Sequence, residues 1–386
     1  MWFFKSKKRS SIVLIDIGSS SVAGAYVHYT DKELPVIYYT VRHSIVRGKD
    51  EDVQTAMLRT LNSVGTELIE KGAPTLRRET GSGSVDGVLV SVSAPWQETK
   101  VRTETIHPDK PFIFGKRMLS EIVSSSAKLA PGRVSTGESV IATILNGYEI
   151  PDPIGKQATR AEVVILSSTL EAALTDEIRT RVRRWYHTHD ITFVAFAPVT
   201  YAVLRDLYPH EKDFLILNVS GEGTDLAFVK AGLLVDVGML PQGINKLLDA
   251  TRGAERMTID EESGNARVPS DQPGYISPDR NARFIVRTET VKKEWVTGLS
   301  DLFKKFAQNH ALPRTLFILA EPNARDYLRR SLDTDSLHSL WLSDEPLSLI
   351  SVLPEHFAPY VKARGTAEGD IFLAILALYQ QKQPLL

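Results

Sequence analysis

Residues 12–27 read IVLIDIGSSSVAGAYV: two apolar runs flank a tip built only of glycine and serine, and one carboxylate, Asp16, stands at the end of the first run. Runs rich in strand-forming residues and bounded by small turn residues constrain this stretch to a β-hairpin. A tip of Gly18, Ser19, Ser20 and Ser21 turns tightly and brings backbone N–H groups close to an anion. The three hydroxyls add donors, and Asp16 stands where a phosphate-bound Mg²⁺ or its waters would be held. An ordinary hairpin with a small-residue turn carries the same signature, so this stretch alone leaves both readings open.

Residues 215–229, LILNVSGEGTDLAFV, repeat the pattern about half a chain later. Asn218 stands where Asp16 stands in the first, and Gly221, Gly223 and Thr224 form and follow the tip. Two such hairpins predict two similar domains facing each other across a cleft. The pair resembles the two phosphate loops of the actin, sugar-kinase and heat-shock-chaperone ATPase superfamily. Within it, DIGSSSV is most similar to the bacterial FtsA and PilM type. That resemblance implies an α/β, actin-like (ribonuclease H-like) two-lobed fold with a small inserted α+β subdomain. It also implies ATP with Mg²⁺ as the ligands. The phosphates would lie on Asp16, Gly18, Ser19, Ser20, Ser21, Gly221, Gly223 and Thr224. The metal would be held through water by Asp16 and Asn218.

The 386 residues suffice for two domains with full cores. A formal net charge of −1 excludes nucleic acid as a main partner, because phosphate neutralisation needs a basic surface. No cysteine is present, which excludes disulfides and thiolate chemistry. No apolar run reaches the ~20 residues that span a bilayer; IFLAILALY at 371–379 reads as a buried final helix. The first residues, MWFFKSKKRSS, are not a signal peptide, since the charges follow the apolar part. Trp2, Phe3 and Phe4 followed by Lys5, Lys7, Lys8 and Arg9 suit an anchor at an anionic membrane surface, and equally a solvated tail. PilM-type sequences open in a similar way, which supports the anchor and a cytoplasmic protein peripheral to the inner face of the membrane. FtsA continues past its last fold helix into a membrane helix. Here only residues 381–386 follow, so membrane contact is expected from the first residues.

The expected layout is a tail (1–10), the first lobe (11–85), an inserted FtsA-type subdomain (86–166), and the rest of the first lobe with an interdomain helix (167–208). The second lobe follows (209–365) with a polar Gly/Pro-containing loop at 252–283, then a closing helix (366–386). Apolar spacing predicts a helix over 51–71, and runs of strand-forming residues predict strands over 36–41 and 88–93. Within the insert, YEIPDPIGK at 148–156 and TRAEVV at 159–164 resemble the FtsA segment with a G-I-x-D-P-x-G turn. Asp152, Pro153, Gly155, Arg160 and Glu162 match it, while Glu149 replaces a glycine. The resemblance implies that Asp152, Pro153 and Gly155 contact a neighbouring subunit or partner; a purely structural turn also accounts for them. His187 and His189 lack further ligands nearby and read as surface residues at a helix end.

Three departures from the superfamily bear on chemistry. Asn218 supplies no charge for a divalent ion, and Ser220 replaces the first glycine of the second loop. The nucleoside region, L-T-G-G-G-A in relatives, is Leu319, Ala320, Glu321, Pro322, Asn323 and Ala324, with a carboxylate and a lost donor in place of glycines. Ala197 replaces the acid that would position an attacking water. These changes predict weak or absent hydrolysis and a refilled pocket. The favoured reading is an adaptor or scaffold of cell division or type IV pilus assembly. Its partner would be an FtsZ-like filament or the tail of a pilus-assembly membrane protein. The competing reading is a sugar-kinase-like phosphotransferase, for which only Asp16 and Asp225 offer a cleft carboxylate.

Overall fold

The computed structural model describes residues 9–125, 130–247, 258–260, 265–267, 278–308, 310–341, 347–364, 367 and 369–382. The chain divides into two compact units, Met1–Asp213 with Ala227–Val237 and Val352–Leu386, and Phe214–Leu226 with Gly238–Ser351.

The first unit is built on a six-stranded sheet. Its strands are β1 (Arg9–Ile17), β2 (Ser21–Thr30), β3 (Val36–Ser44), β4 (Gly87–Val92), a later strand Ile191–Ala195 and a short one, Lys362–Ala363. β1 pairs antiparallel with β2 and parallel with β4, and the strand at Ile191 extends the parallel part beyond β4. Strands buried on both faces read as continuous apolar runs, which is why residues 12–15 and 88–90 show no alternation. One face carries α1 (Val53–Glu67), which continues through a π-helical turn, Leu68–Gly72, into α2 (Ala73–Thr80). The apolar spacing at 51–71 foretells a single helix; the later start at Val53 and the π-turn at its end are the differences. Asp52 caps α1 by accepting from the Thr55 N–H at 2.9 Å.

β4 belongs to this main sheet, not to the inserted segment where the sequence reading puts it. The insert is instead an antiparallel sheet of β5 (Gln97–Ile106), β7 (Arg133–Leu145), β8 (Tyr148–Glu149) and β10 (Ala161–Glu171), in the order β5-β10-β7-β8. Its core gathers Phe114, Ile122, Leu145, Ala161, Val163 and Ile165, with the helix α3 (Lys116–Ser125) and a two-strand pair of β6 (Phe112–Ile113) and β9 (Gln157–Ala158). α4 (Ala172–Tyr186) then leads to β11 (Ile191–Ala195) and α5 (Phe196–Leu207). The second unit holds most of a five-stranded sheet in the order β14-β13-β12-β17-β18, from β12 (Phe214–Val219), β13 (Thr224–Lys230), β14 (Leu233–Leu240), β17 (Thr315–Leu319) and β18 (Ser348–Ser351). Within 252–283, the described residues form a small pair, β15 (Thr258–Asp260) with β16 (Asn265–Arg267), and the start of α6 (Pro278–Ala307); the rest of the expected loop lies outside the described residues. α7 (Pro322–Leu332) and α8 (Asp335–His338) follow β17, and β19 (Lys362–Ala363) precedes α9 (Ile371–Lys382). α9 is apolar nearly all round and is buried in the first unit, where Tyr29 donates from its hydroxyl to the Ala377 carbonyl at 3.1 Å.

Candidate functional site

The first hairpin forms where expected. Asp16 lies opposite Ala23 and Ile17 opposite Val22, and the Gly18 N–H closes the tip on the Ser21 carbonyl at 3.0 Å. Ser19 and Ser21 are buried, and Asp16 is only 3% exposed. Strand register sets what Asp16 meets. One row runs across the sheet through Ser91, Asp16, Ala23 and Arg42, so Arg42 on β3 shares a face with Asp16.

Arg42 reaches across that row. Its Nη2 donates to Asp16 Oδ2 at 3.0 Å and its Nη1 to Ser21 Oγ at 2.6 Å. The same guanidinium binds Asp370 with both ends of its fork, Nε to Oδ2 at 2.6 Å and Nη2 to Oδ1 at 3.1 Å. It also stacks over Phe372, 4.9 Å from the ring centroid. Asp370 in turn caps α9, accepting from the N–H groups of Phe372 and Leu373 at 3.0 and 3.1 Å. Burial pushes the Asp370 carboxyl up, but Arg42 and the two cap N–H groups outweigh it and hold the group below its ordinary range. Arg42 and Asp370 are the residues the sequence reading missed. Arg42 falls one position past the expected strand, and its partner is more than three hundred residues further on.

A carboxylate already neutralised by a fixed guanidinium withholds its charge from a divalent ion. Mg²⁺ demands hard oxygen ligands in near-octahedral array, and Arg42 occupies Oδ2 of Asp16.

The tip of the second hairpin, between β12 and β13, lies in the second unit. The Ser220 N–H donates to the Gly223 carbonyl at 2.9 Å, and Ser220 Oγ donates to the same carbonyl at 2.9 Å. A helical turn from Ile244 packs on the tip, with the Ile244 and Asn245 N–H groups donating to the carbonyls of Ser220 and Gly221. A Cβ at Gly243 would lie 2.3 Å from the Ser220 carbonyl oxygen, so only glycine admits this approach. Thr224 Oγ1 donates to the Gln242 carbonyl at 2.7 Å and accepts from the buried indole N–H of Trp295 at 3.0 Å. Asn218 is buried near the end of β12, and its Nδ2 has no hydrogen-bond partner among the described residues. Asp225 is likewise buried, on β13.

Elsewhere the positions singled out in sequence have local structural work. Leu319 ends β17, Ala320 accepts at its carbonyl from Arg325 Nε at 3.1 Å, and Glu321 precedes α7, whose first residue is Pro322, followed by Asn323. Pro322 thus sits where its missing N–H costs nothing. The turn at Asp152, Pro153 and Gly155 is tied to the insert core: Gly155 N–H donates to the Phe114 carbonyl at 2.8 Å, and the Phe114 N–H to Lys156 at 2.9 Å. Gly155 has φ +81°, a conformation glycine adopts without strain. Of the anchor residues, Trp2, Phe3, Phe4, Lys5, Lys7 and Lys8 lie outside the described residues, and Arg9 opens β1. Among the described residues no group of three or more His, Cys, Asp or Glu is placed to hold a metal ion, and no helix is long and apolar enough to cross a membrane.

No family model matches the chain, and no curated protein matches it. Solved structures do. A chain described as belonging to a PilM–PilN type IV pilus biogenesis complex aligns with a TM-score of 0.56 at 15% identity, covering 97% of this chain and 99% of that one. A Bacteroides thetaiotaomicron protein, described as having an actin-like ATPase fold and unknown function, aligns over 98% of this chain and 99% of its own at 8% identity and a TM-score of 0.45. The ethanolamine utilization protein EutJ from Carboxydothermus hydrogenoformans aligns over 96% and 90% at 10% identity and a TM-score of 0.40. The chain therefore shares the fold of that chain from the PilM–PilN complex. The likeness runs over nearly the full length of both chains.

Proposed function

We propose that this chain is a PilM-like scaffold of type IV pilus assembly, peripheral to the cytoplasmic face of the membrane, that binds a partner protein and does not turn over ATP. The observation that carries the reading is the Arg42 guanidinium on Asp16 and Ser21, which commits the metal-holding carboxylate of an actin-like hairpin to an internal partner. Asn218 in place of the second carboxylate and Ala197 in place of the water-positioning acid support it. The donor set does not fit a Mg²⁺ site while Arg42 stays in place. No catalytic step is assigned to either hairpin. The shared fold with a chain of a PilM–PilN complex supports a pilus-assembly partner of the PilN kind over a cell-division filament.

Two measurements test this. Co-purification with the PilN-type protein of the same organism is expected to yield a stable complex without added nucleotide. Phosphate release from Mg²⁺–ATP is expected to stay at the level of a buffer blank. Turnover stimulated by a small-molecule acceptor would replace the scaffold with a phosphotransferase.

A further inference from the structure

β1, β4 and β11 run parallel, so all three begin at one end of the six-stranded sheet. The β2–β3 turn and the start of β19 lie at that same end, because β2 returns antiparallel and β19 pairs parallel with the first residues of β3. Each segment arriving there carries cations. Lys32 sits in the β2–β3 turn, Arg77 in the last turn of α2, Arg183 and Arg184 in the last turn of α4, and Lys362 and Arg364 on and just beyond β19. All six are exposed, and none makes an ion pair among the described residues. Several of the acids at this end are engaged. Glu79 faces Arg78, Asp86 accepts from Ser10 Oγ and the Ser11 N–H, and Asp206 pairs with Lys382, while Asp31, Glu33 and Asp190 make no ion pair among the described residues.

Helix dipoles favour cations in a last turn, which accounts for Arg77, Arg183 and Arg184 taken singly. It does not account for Lys32, Lys362 and Arg364, which lie outside helices at the same end. The Gly18–Ser21 tip stands at the far end of β1, nine residues away, or about 30 Å along a strand.

We propose that this end of the first unit is a docking surface for an anionic phospholipid bilayer. Long basic side chains spread over several strand and helix ends suit a planar charged surface, where each contributes independently of exact geometry. The chain also enters β1 at this end. Trp2, Phe3, Phe4, Lys5, Lys7 and Lys8 therefore precede the surface directly in sequence, adding a second signal of the kind stable anchoring needs. The proposal rests on the peripheral location assigned to the scaffold and names the surface that achieves it, leaving the hairpin end turned away from lipid.

The test is co-sedimentation of the full chain with phosphatidylcholine vesicles, with and without phosphatidylglycerol. Binding is expected only with phosphatidylglycerol and is expected to fall as salt is raised. Each neutralised cation should lower partition about fivefold. Two variants, Arg77→Gln/Arg183→Gln/Arg184→Gln and Lys362→Gln/Arg364→Gln, are each compared with a deletion of residues 1–8, with circular dichroism confirming the fold. Absence of lipid-dependent binding by the intact chain overturns the proposal, as does binding unchanged in both surface variants. Complex formation with the PilN-type protein is measured without lipid, so its failure removes the scaffold while leaving the surface standing, and the converse holds.

Discussion

At Arg42 one guanidinium serves two carboxylates, a serine hydroxyl and an aromatic face. Its side chain is 20% exposed and that of Asp16 4%, so the pair is largely shielded from water. Removing one member of such a pair strands the other charge. Arg42→Ala is therefore expected to destabilise the fold by about 3–5 kcal/mol, read as a lower urea midpoint with an unchanged slope. Arg42→Lys keeps the charge but loses the fork and should recover only part of the loss; full recovery would make charge alone the cause. Asp370 adds a pH dependence. Its folded pKa is depressed, so its contribution is complete above the ordinary carboxylate value of about 3.9 and disappears as pH falls through the folded value. Asp370→Asn should flatten this part of the acid limb of a melting-temperature profile, and parallel profiles for the two proteins would refute it.

Among elements, the second hairpin shows how a tip is held by what packs behind it. Thr224→Val keeps shape but leaves the Trp295 indole N–H buried and unpaired, at an expected cost of about 1–3 kcal/mol. Trp295 fluorescence should shift with it, and an unchanged urea midpoint would show that the indole finds another partner. Gly243→Ala sets a methyl against two backbone carbonyls that cannot rotate away, so a loss of more than about 1 kcal/mol is expected. Both hairpins were legible in sequence because a small-residue tip between apolar runs is a local signal. The helix at α1 was legible for the same reason, through its 3.6-residue spacing. What α1 does after Glu67, and where β4 belongs, depend on packing that no short window contains. Arg42 is the sharpest case. Its meaning comes from a three-strand register, Asp16 to Ala23 to Arg42, and from a helix cap near the other end of the chain. The Glu321–Pro322 pair carries a local helix-start signal, a proline at the first helical position.

For the whole molecule, a fold shared with the chain of a PilM–PilN complex over nearly its full length coexists with Arg42 on Asp16 in one hairpin and the amide of Asn218 in the other. One fold can host several activities, so function has to be argued from the sites. The proposed function is binding without turnover. The most direct measurement is phosphate release by the purified chain with Mg²⁺–ATP, in the presence and absence of its PilN-type partner. The scaffold account predicts a complex that forms and no release above blank in either case. Release that the partner stimulates and Asp16→Asn abolishes would contradict it.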